Sequence, residues 1–413
     1  MKDQLMSYLL HNKLITDQQH GFLSRHSTCS QLLECVNDWS LALNSRSNVD
    51  VIYIDFSKAF DCVVHSKLIA KLKSYGIGGR LLLWIEAFLS DRTQAVKIGK
   101  HRSSFTDVLS GVPQGSVLGP ILFLLFINDV VDIISNDLSI KLYADDVKIY
   151  SVINDVNSGD ALQLALNNLC DWCVKWQMTI NVNKCFVLTL GRSSAGSYTI
   201  NNTLLPASNV VNDLGVHVDT KLRFCYHYDN IVAKAHQRAS LILRCFQCRD
   251  PVTLFRAFVT FVRPILEYCS PVWSPVYKCD IDQIEAVQRR FTKKLNGLKF
   301  MSYEQRLNAL NTESLELRRL KSDLVLMFKI SRGCIAVDDK IINFRTDSQT
   351  RGDFKVLKPH CKVNARTFSF AARHVNCWNA LPNSVRCAPS LSSFKRLLHT
   401  CDLIPFLHSK CDF

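Results

Sequence analysis

A chain of 413 residues that is 47% hydrophobic holds enough apolar material for a sizeable core spread over two or three domains. Its 17 cysteines, an odd number scattered along the length, argue against a secreted disulfide scaffold. The longest apolar run, residues 117–127 (VLGPILFLLFI), is too short to cross a bilayer. With no secretory signal at the start, the chain is expected to be intracellular and without a membrane partner. The formal net charge of +14 is uneven: residues 1–220 carry 18 Lys and Arg against 20 Asp and Glu, and residues 221–413 carry 32 against 16. The excess therefore lies wholly in the second half. A basic surface is the electrostatic footprint of polyanion binding; the alternative is a solvated basic face with no partner.

In chain order, residues 1–48 read as helices around a polar loop, QHGFLSRHST (19–28). NVDVIYI (48–54) is a β-branched strand that ends at Asp55. Helical periodicity over 67–74 is broken by YGIGG (75–79), and a second helix fits 81–89. TQAVKIG (93–99) and SSFTDVL (103–109) predict a strand pair. SGVPQGSVLGP (110–120) is a glycine-rich turn leading into an apolar helix that runs to about 131. KLYADDVKIY (141–150) reads as a β-hairpin with Asp145 and Asp146 at its turn. An amphipathic helix over 159–177 is followed by a strand at 184–190 and short strands between 197 and 219. From 231 the pattern is helical, over 231–247, 252–269, 281–295 and 314–332. Residues 335–365 are loopier, and the aromatic-rich FSFAARHVNCWNALP (368–382) precedes a helix near 391–400. No internal repeat is present.

Two Cys-x-x-Cys pairs, Cys170/Cys173 and Cys245/Cys248, could together supply a four-thiolate zinc site. The first pair, however, shares a helical apolar stripe with Leu162, Leu166, Leu169 and Trp176, and buried reduced cysteine is ordinary core material.

Two adjacent acids in a hairpin have two explanations. Aspartate suits tight turns, and paired carboxylates suit a hard divalent cation. Asp55, at the end of another apolar strand, is a third acid. If the two strands are neighbours in one sheet, three carboxylates meet at one edge. Such an edge can hold two metal ions about 3.5–4 Å apart for in-line phosphoryl transfer. The glycine-rich turn, with helical N–H groups near Ser116, would let backbone approach a ligand closely.

IDFSKAFDCVVH, SGVPQGSVLGPILFLLFINDV and YADD occur in that order and resemble the three core palm motifs of reverse transcriptases. QHGFLSRHST resembles the finger segment of non-LTR (LINE-type) retrotransposon enzymes, closest to the jockey-like branch. LGVHVD resembles the segment that grips the primer end, and the C-terminal FSFAARHVNCWNALP and APSLSSFK resemble the tail of those polyproteins. The resemblance implies an α+β right-hand polymerase: partial fingers (1–48), a palm with an antiparallel sheet (49–220), a helical thumb (221–332) and a mostly helical C-terminal region (333–413). It implies Asp55, Asp145 and Asp146 as metal ligands for two Mg²⁺ ions, with Mn²⁺ as the substitute. It implies Lys184 as a general acid toward departing pyrophosphate. Phe60 would be the ring that excludes a ribose 2′-OH; Phe56, Gln114, Gly115 and Arg25 would contact the nucleotide. Tyr143, Leu214 and Gly215 would meet the primer end. In the thumb, Lys234, Arg238, Arg289, Arg290, Lys293 and Lys294 would touch phosphates, which positions a duplex without reading its sequence. An RNA template, a DNA primer and dNTPs are the implied partners, in the nucleus or cytoplasm.

The family carries more finger sequence and an endonuclease before QHGF, so the chain reads as an N-terminally truncated copy. Two alternatives to a DNA polymerase stay open: a remnant that only binds nucleic acid, and a palm enzyme copying RNA into RNA. Phe60 speaks against the second, because an RNA-making enzyme must admit the 2′-OH.

Overall fold

The β-branched run Asn48–Ile54 forms a strand buried over all but its first residue. It is one of the two inner strands of a four-stranded antiparallel sheet ordered Ser139–Tyr143, Asp146–Ile153, Asn48–Ile54, Phe186–Leu190. The computed structural model describes residues 1–135, 137–153, 156–191, 196–344 and 354–410.

The chain divides into two compact units: Met1–Ser27 with Ser47–Ser208, and Thr28–Arg46 with Asn209–Phe413. In the first, one face of the sheet (Ile52, Ile54, Leu142, Val147, Ile149, Val187) shares a core with Leu122, Leu125 and Phe126 of helix Gly119–Ile127 and with Leu162, Leu166 and Leu169 of helix Val156–Trp176. Cys173 belongs to the same core, and burial pushes its thiol up to about 12. It packs there as an ordinary buried core side chain. Cys245 closes its helix and Cys248 lies beyond it, both exposed. The segment expected as one strand pair at 93–109 is two nested two-residue pairs, Thr93–Gln94 with Thr106–Asp107 and Lys97–Ile98 with His101–Arg102. The apolar helix after the glycine-rich turn begins at Gly119, later than Ser116, because the Ser116 hydroxyl accepts the Gly119 N–H and donates to the Pro113 carbonyl.

In the second unit, helix Thr28–Asn44 packs against the short helices Ser270–Trp273 and Asn364–Thr367. The first 48 residues are thus shared between the units, and the later boundary between them falls at 208/209. Helix Cys225–Cys245 starts six residues before the expected 231, because the Asp219 carboxylate accepts the N–H groups of Lys221, Arg223 and Phe224 just ahead of it. The helix expected over 252–269 is broken into Pro251–Phe261 and Arg263–Glu267; Pro264 has no N–H to continue the ladder. The expected C-terminal region is no separate body. Arg373 donates to the buried carboxylate of Asp323 on helix Leu315–Ser331 at 3.1 Å, His374 lies against the same carboxylate, and Phe394 stacks on Phe328 of that helix at 4.3 Å. Within the loopier 335–365 stretch, residues 345–353 lie outside the described residues. Among the described residues, no helix is long and apolar enough to cross a membrane.

Candidate active site

The central strand carries Asp55 to one edge of the sheet. Its ladder with strand Asp146–Ile153 runs to the pair Ile54↔Val147. Carried one residue on, that register sets Asp55 beside Asp146. Asp145 occupies the two-residue turn between Tyr143 and Asp146, which are themselves paired. Asp55 and the adjacent pair Asp145 and Asp146, which begins 90 residues later in the sequence, therefore share one end of the sheet. The carboxyl of Asp145 is raised above the usual range, first by burial and then by the neighbouring Asp55 charge. An oxygen-only donor set with crowded negative charge is the chemistry a hard divalent cation relieves, so these residues fit such an ion. Among the described residues, no three His, Cys, Asp or Glu side chains are yet drawn close enough to enclose one.

Lys184 lies in a single 3₁₀ turn, Val182–Lys184, directly before strand Phe186–Leu190. Its Nζ stands 3.8 Å from Oδ2 of Asp55. The Asp55 backbone is fixed on both sides: its N–H points to the Cys185 sulfur at 3.4 Å, and its carbonyl accepts the Asn181 N–H at 2.8 Å. Burial raises the Cys185 thiol, so this support is uncharged.

Phe60 is half-buried. It stacks on Phe123 (4.1 Å between centroids, 20° between planes) and meets Phe22 edge-on at 6.2 Å. The ring is thus packed between two other aromatic side chains. Phe56 corrects the sequence expectation. It is only 5% exposed and packs toward Trp172, so its ring supports the site from beneath and cannot line a nucleotide pocket. Two residues beyond the strand, Phe56 continues the inward face of Ile52 and Ile54, since successive extended residues alternate faces.

The glycine-rich turn is knitted onto the segment that follows Asp55. Gly111 donates to the Val63 carbonyl and Val112 to the Phe60 carbonyl. At φ +90°, Gly111 passes so close to Asp61 that a Cβ would sit 2.8 Å from its backbone, which excludes every other residue there. Gln114 donates from Nε2 to the Asp61 carboxylate at 2.8 Å, and Gly115 beside it is exposed, with open space where a side chain would be. Asp61 thus orients Gln114, a link the sequence did not reveal. Arg25 is exposed, with its backbone at φ +68°. Tyr143 is partly exposed at the end of its strand.

In the second unit, Leu214 (φ +47°) and Gly215 (φ +86°) form the two-residue turn between strands Val210–Asp213 and Val216–Asp219, the double left-handed geometry that tight hairpins favour. The Tyr268 hydroxyl donates to the Leu214 carbonyl at 3.0 Å. Lys234 and Arg238 are exposed one turn apart on helix Cys225–Cys245. Arg290, Lys293 and Lys294 are exposed at the end of helix Lys278–Lys293. The two helices pack together, and the His236 imidazole is held below its ordinary value by burial and then by the charges of Arg290 and Lys294. Arg289 stands apart from this group, 3.5 Å from the Asp282 carboxylate.

Residues 1–218 match the family described as reverse transcriptase (RNA-dependent DNA polymerase). The chain is 29% identical over 315 residues to the RNA-directed DNA polymerase from mobile element jockey of Drosophila funebris, covering 71% of this chain and 34% of that protein. It is 26% identical over 319 residues to the probable RNA-directed DNA polymerase from transposon BS of Drosophila melanogaster, covering 72% and 34%. The chain thus spans about a third of the length of these curated relatives. A solved telomerase from Candida tropicalis, in complex with a fragment of telomeric RNA, is 12% identical, with a TM-score of 0.42 and coverage of 79% of this chain and 49% of that one. With the motifs, the sheet and the matched residues in agreement, the chain belongs to the reverse transcriptase family and resembles its jockey-like, non-LTR branch.

Proposed function

We propose that this chain is the polymerase part of a non-LTR retrotransposon reverse transcriptase, adding dNTPs to a primer 3′-OH on an RNA template. The observation that carries the reading is the convergence of Asp55, Asp145 and Asp146 at one sheet edge, inside the stretch that matches the family. Those three acids would hold two divalent ions, Mg²⁺ first and Mn²⁺ as substitute. When bound, such ions activate the primer hydroxyl and stabilise the leaving pyrophosphate.

The chain's own residues do the rest. Lys184, beside Asp55, gives a proton from Nζ to the departing pyrophosphate. Phe60, immobilised on Phe123, fills the space a 2′-OH would need. Gln114, oriented by Asp61, lines the nucleotide pocket with Gly115, and Arg25 meets the triphosphate. Tyr143 and the Leu214–Gly215 turn meet the primer. Lys234, Arg238, Arg290, Lys293 and Lys294 hold the duplex through its phosphates, while Arg289, already beside Asp282, contributes least. On this reading the first unit supplies the palm with part of the fingers, and the second supplies the thumb and the tail. The enzyme acts inside the cell, in the nucleus where it copies at chromosomal target sites.

What supports the polymerase reading over a binding-only remnant is that Asp55, Asp145 and Asp146 share a sheet edge, Phe60 stacks on Phe123, and the glycine-rich turn is bonded to the Phe60 and Val63 carbonyls. The test is extension of oligo(dT) on poly(rA) with dTTP and Mg²⁺. Salt-sensitive duplex binding without extension would overturn the polymerase reading.

A further inference from the structure

The turn that carries Asp145 is gripped by a side chain far away in sequence. Backbone at 18–20 lies along strand Ser139–Tyr143: the Leu142 N–H donates to the Gln18 carbonyl at 3.0 Å and the His20 N–H to the Leu142 carbonyl at 2.8 Å. One step further on, the pairing is continued by a side chain. The carboxamide of Gln19, only 2% exposed, accepts the Ala144 N–H on Oε1 at 2.9 Å and directs Nε2 to the Ala144 carbonyl at 3.5 Å. The amide thus imitates a neighbouring strand for a single residue. The same Oε1 accepts the Gly21 N–H at 2.7 Å, which fixes the carboxamide from its own side.

Two facts show that this grip is specific to the turn. Ala144 sits at φ +56°, a left-handed conformation that disfavours any residue with a Cβ; it persists only where its surroundings hold it. Gly21 approaches so closely that a Cβ would lie 2.4 Å from the Ala144 nitrogen. The glycine and the glutamine therefore serve one contact. The held residue is followed at once by Asp145, so the orientation of the Ala144 peptide sets where the Asp145 carboxylate points.

We propose that Gln19 is a positioning residue: its carboxamide holds Ala144 in the left-handed conformation and thereby aims Asp145. The inference rests on the polymerase reading for its catalytic consequence, but its structural part stands apart from activity.

The experiment compares wild type, Gln19→Ala, Gln19→Met and the double variant Gln19→Ala/Ala144→Gly. Amide exchange at Ala144 is the first readout. It should accelerate by about tenfold or more in both single variants, as a lost local hydrogen bond requires. In primer extension, kcat should fall by about 10- to 100-fold, the cost of a catalytic group misplaced by roughly 1 Å. KM for dTTP and duplex affinity should change by less than about twofold, because Gln19 touches neither ligand in this role. The double variant should recover most of the lost kcat, since glycine adopts positive φ without support. Gln19→Met keeps the side-chain volume and is the variant to read should Gln19→Ala not fold. Unchanged exchange at Ala144 would overturn the proposal, and so would wild-type kcat in the single variants or a double variant no better than Gln19→Ala. If the wild-type chain fails to extend any primer, the polymerase reading falls, and exchange at Ala144 alone decides whether Gln19 holds the turn.

Discussion

Lys184 Nζ stands 3.8 Å from the Asp55 carboxylate, although 128 intervening residues separate them. Strand Phe186–Leu190 pairs with strand Asn48–Ile54 from Tyr53↔Phe186 onward, and this pairing brings the lysine to the acid. Both side chains are substantially exposed, so the contact adds little stability. Its value is placement. Lys184→Ala should lower kcat by about 10²-fold or more, the typical worth of a general acid, with KM for dTTP nearly unchanged. Single-turnover kinetics check this; an equal rise in KM with unchanged kcat would make Lys184 a binding residue instead.

Phe60 gives a prediction about sugar choice. Its ring is braced by Phe123 and Phe22, so it cannot swing away from an incoming ribose. Phe60→Ala should lower the preference for dTTP over UTP by about tenfold or more, as measured by the ratio of kcat/KM values. Equal use of UTP and dTTP by the wild-type protein would remove Phe60 from that role.

The basic cluster makes a salt-dependent prediction. Duplex binding should weaken steeply between about 50 and 200 mM salt. Charge removal at Lys234 and Arg238, or at Arg290 and Lys294, should reduce the slope of log K against log salt by about one per lost phosphate contact. Arg289, 3.5 Å from the Asp282 carboxylate, should change it least. Titration by fluorescence anisotropy provides the slopes, and a flat response would mean that these helices do not face phosphate.

His227 ties the stability of the second unit to pH. Burial, then the charges of His217 and Lys234, lower its imidazole to about 4. Its Nδ1 accepts the His217 N–H at 3.2 Å, and its ring lies against Trp273. The folded pKa is below the ordinary 6.5, so on acidification the unfolded chain takes up the proton first. The contribution is fully present above about pH 6.5 and is lost as pH falls toward about 4. Thermal unfolding followed from pH 7 to 4 should show this loss, and His227→Gln should flatten it.

Much of this organisation is legible in the sequence because it rests on strong local signals. The β-branched run 48–54, the two acids in the hairpin and the amphipathic stripe with Leu162, Leu166 and Leu169 each announce their element. What stays hidden is non-local. Nothing in the letters tells that Asp61 receives Gln114 or that Gln19 reaches Ala144, since both contacts depend on how loops cross in space. Ala144, an alanine and not a glycine at a turn position with positive φ, marks a held turn only once the structure gives that φ. Phe56 turns inward for a related reason: adjacency to Asp55 says nothing about which face of the sheet a side chain takes. The early start of helix Cys225–Cys245 was missed because Asp219, outside the helical pattern, supplies the acceptor ahead of it.

The central claim is tested most directly by primer extension on poly(rA)/oligo(dT) with dTTP and Mg²⁺, comparing the wild-type chain with Asp145→Asn. Burial and the Asp55 charge both disfavour the ionised Asp145 carboxylate, so the asparagine variant should unfold at the same temperature as wild type or higher, which separates chemistry from folding. The wild type should extend the primer, and an equally folded Asp145→Asn protein that still binds duplex should not. Extension by Asp145→Asn at the wild-type rate would remove Asp145 from the chemistry.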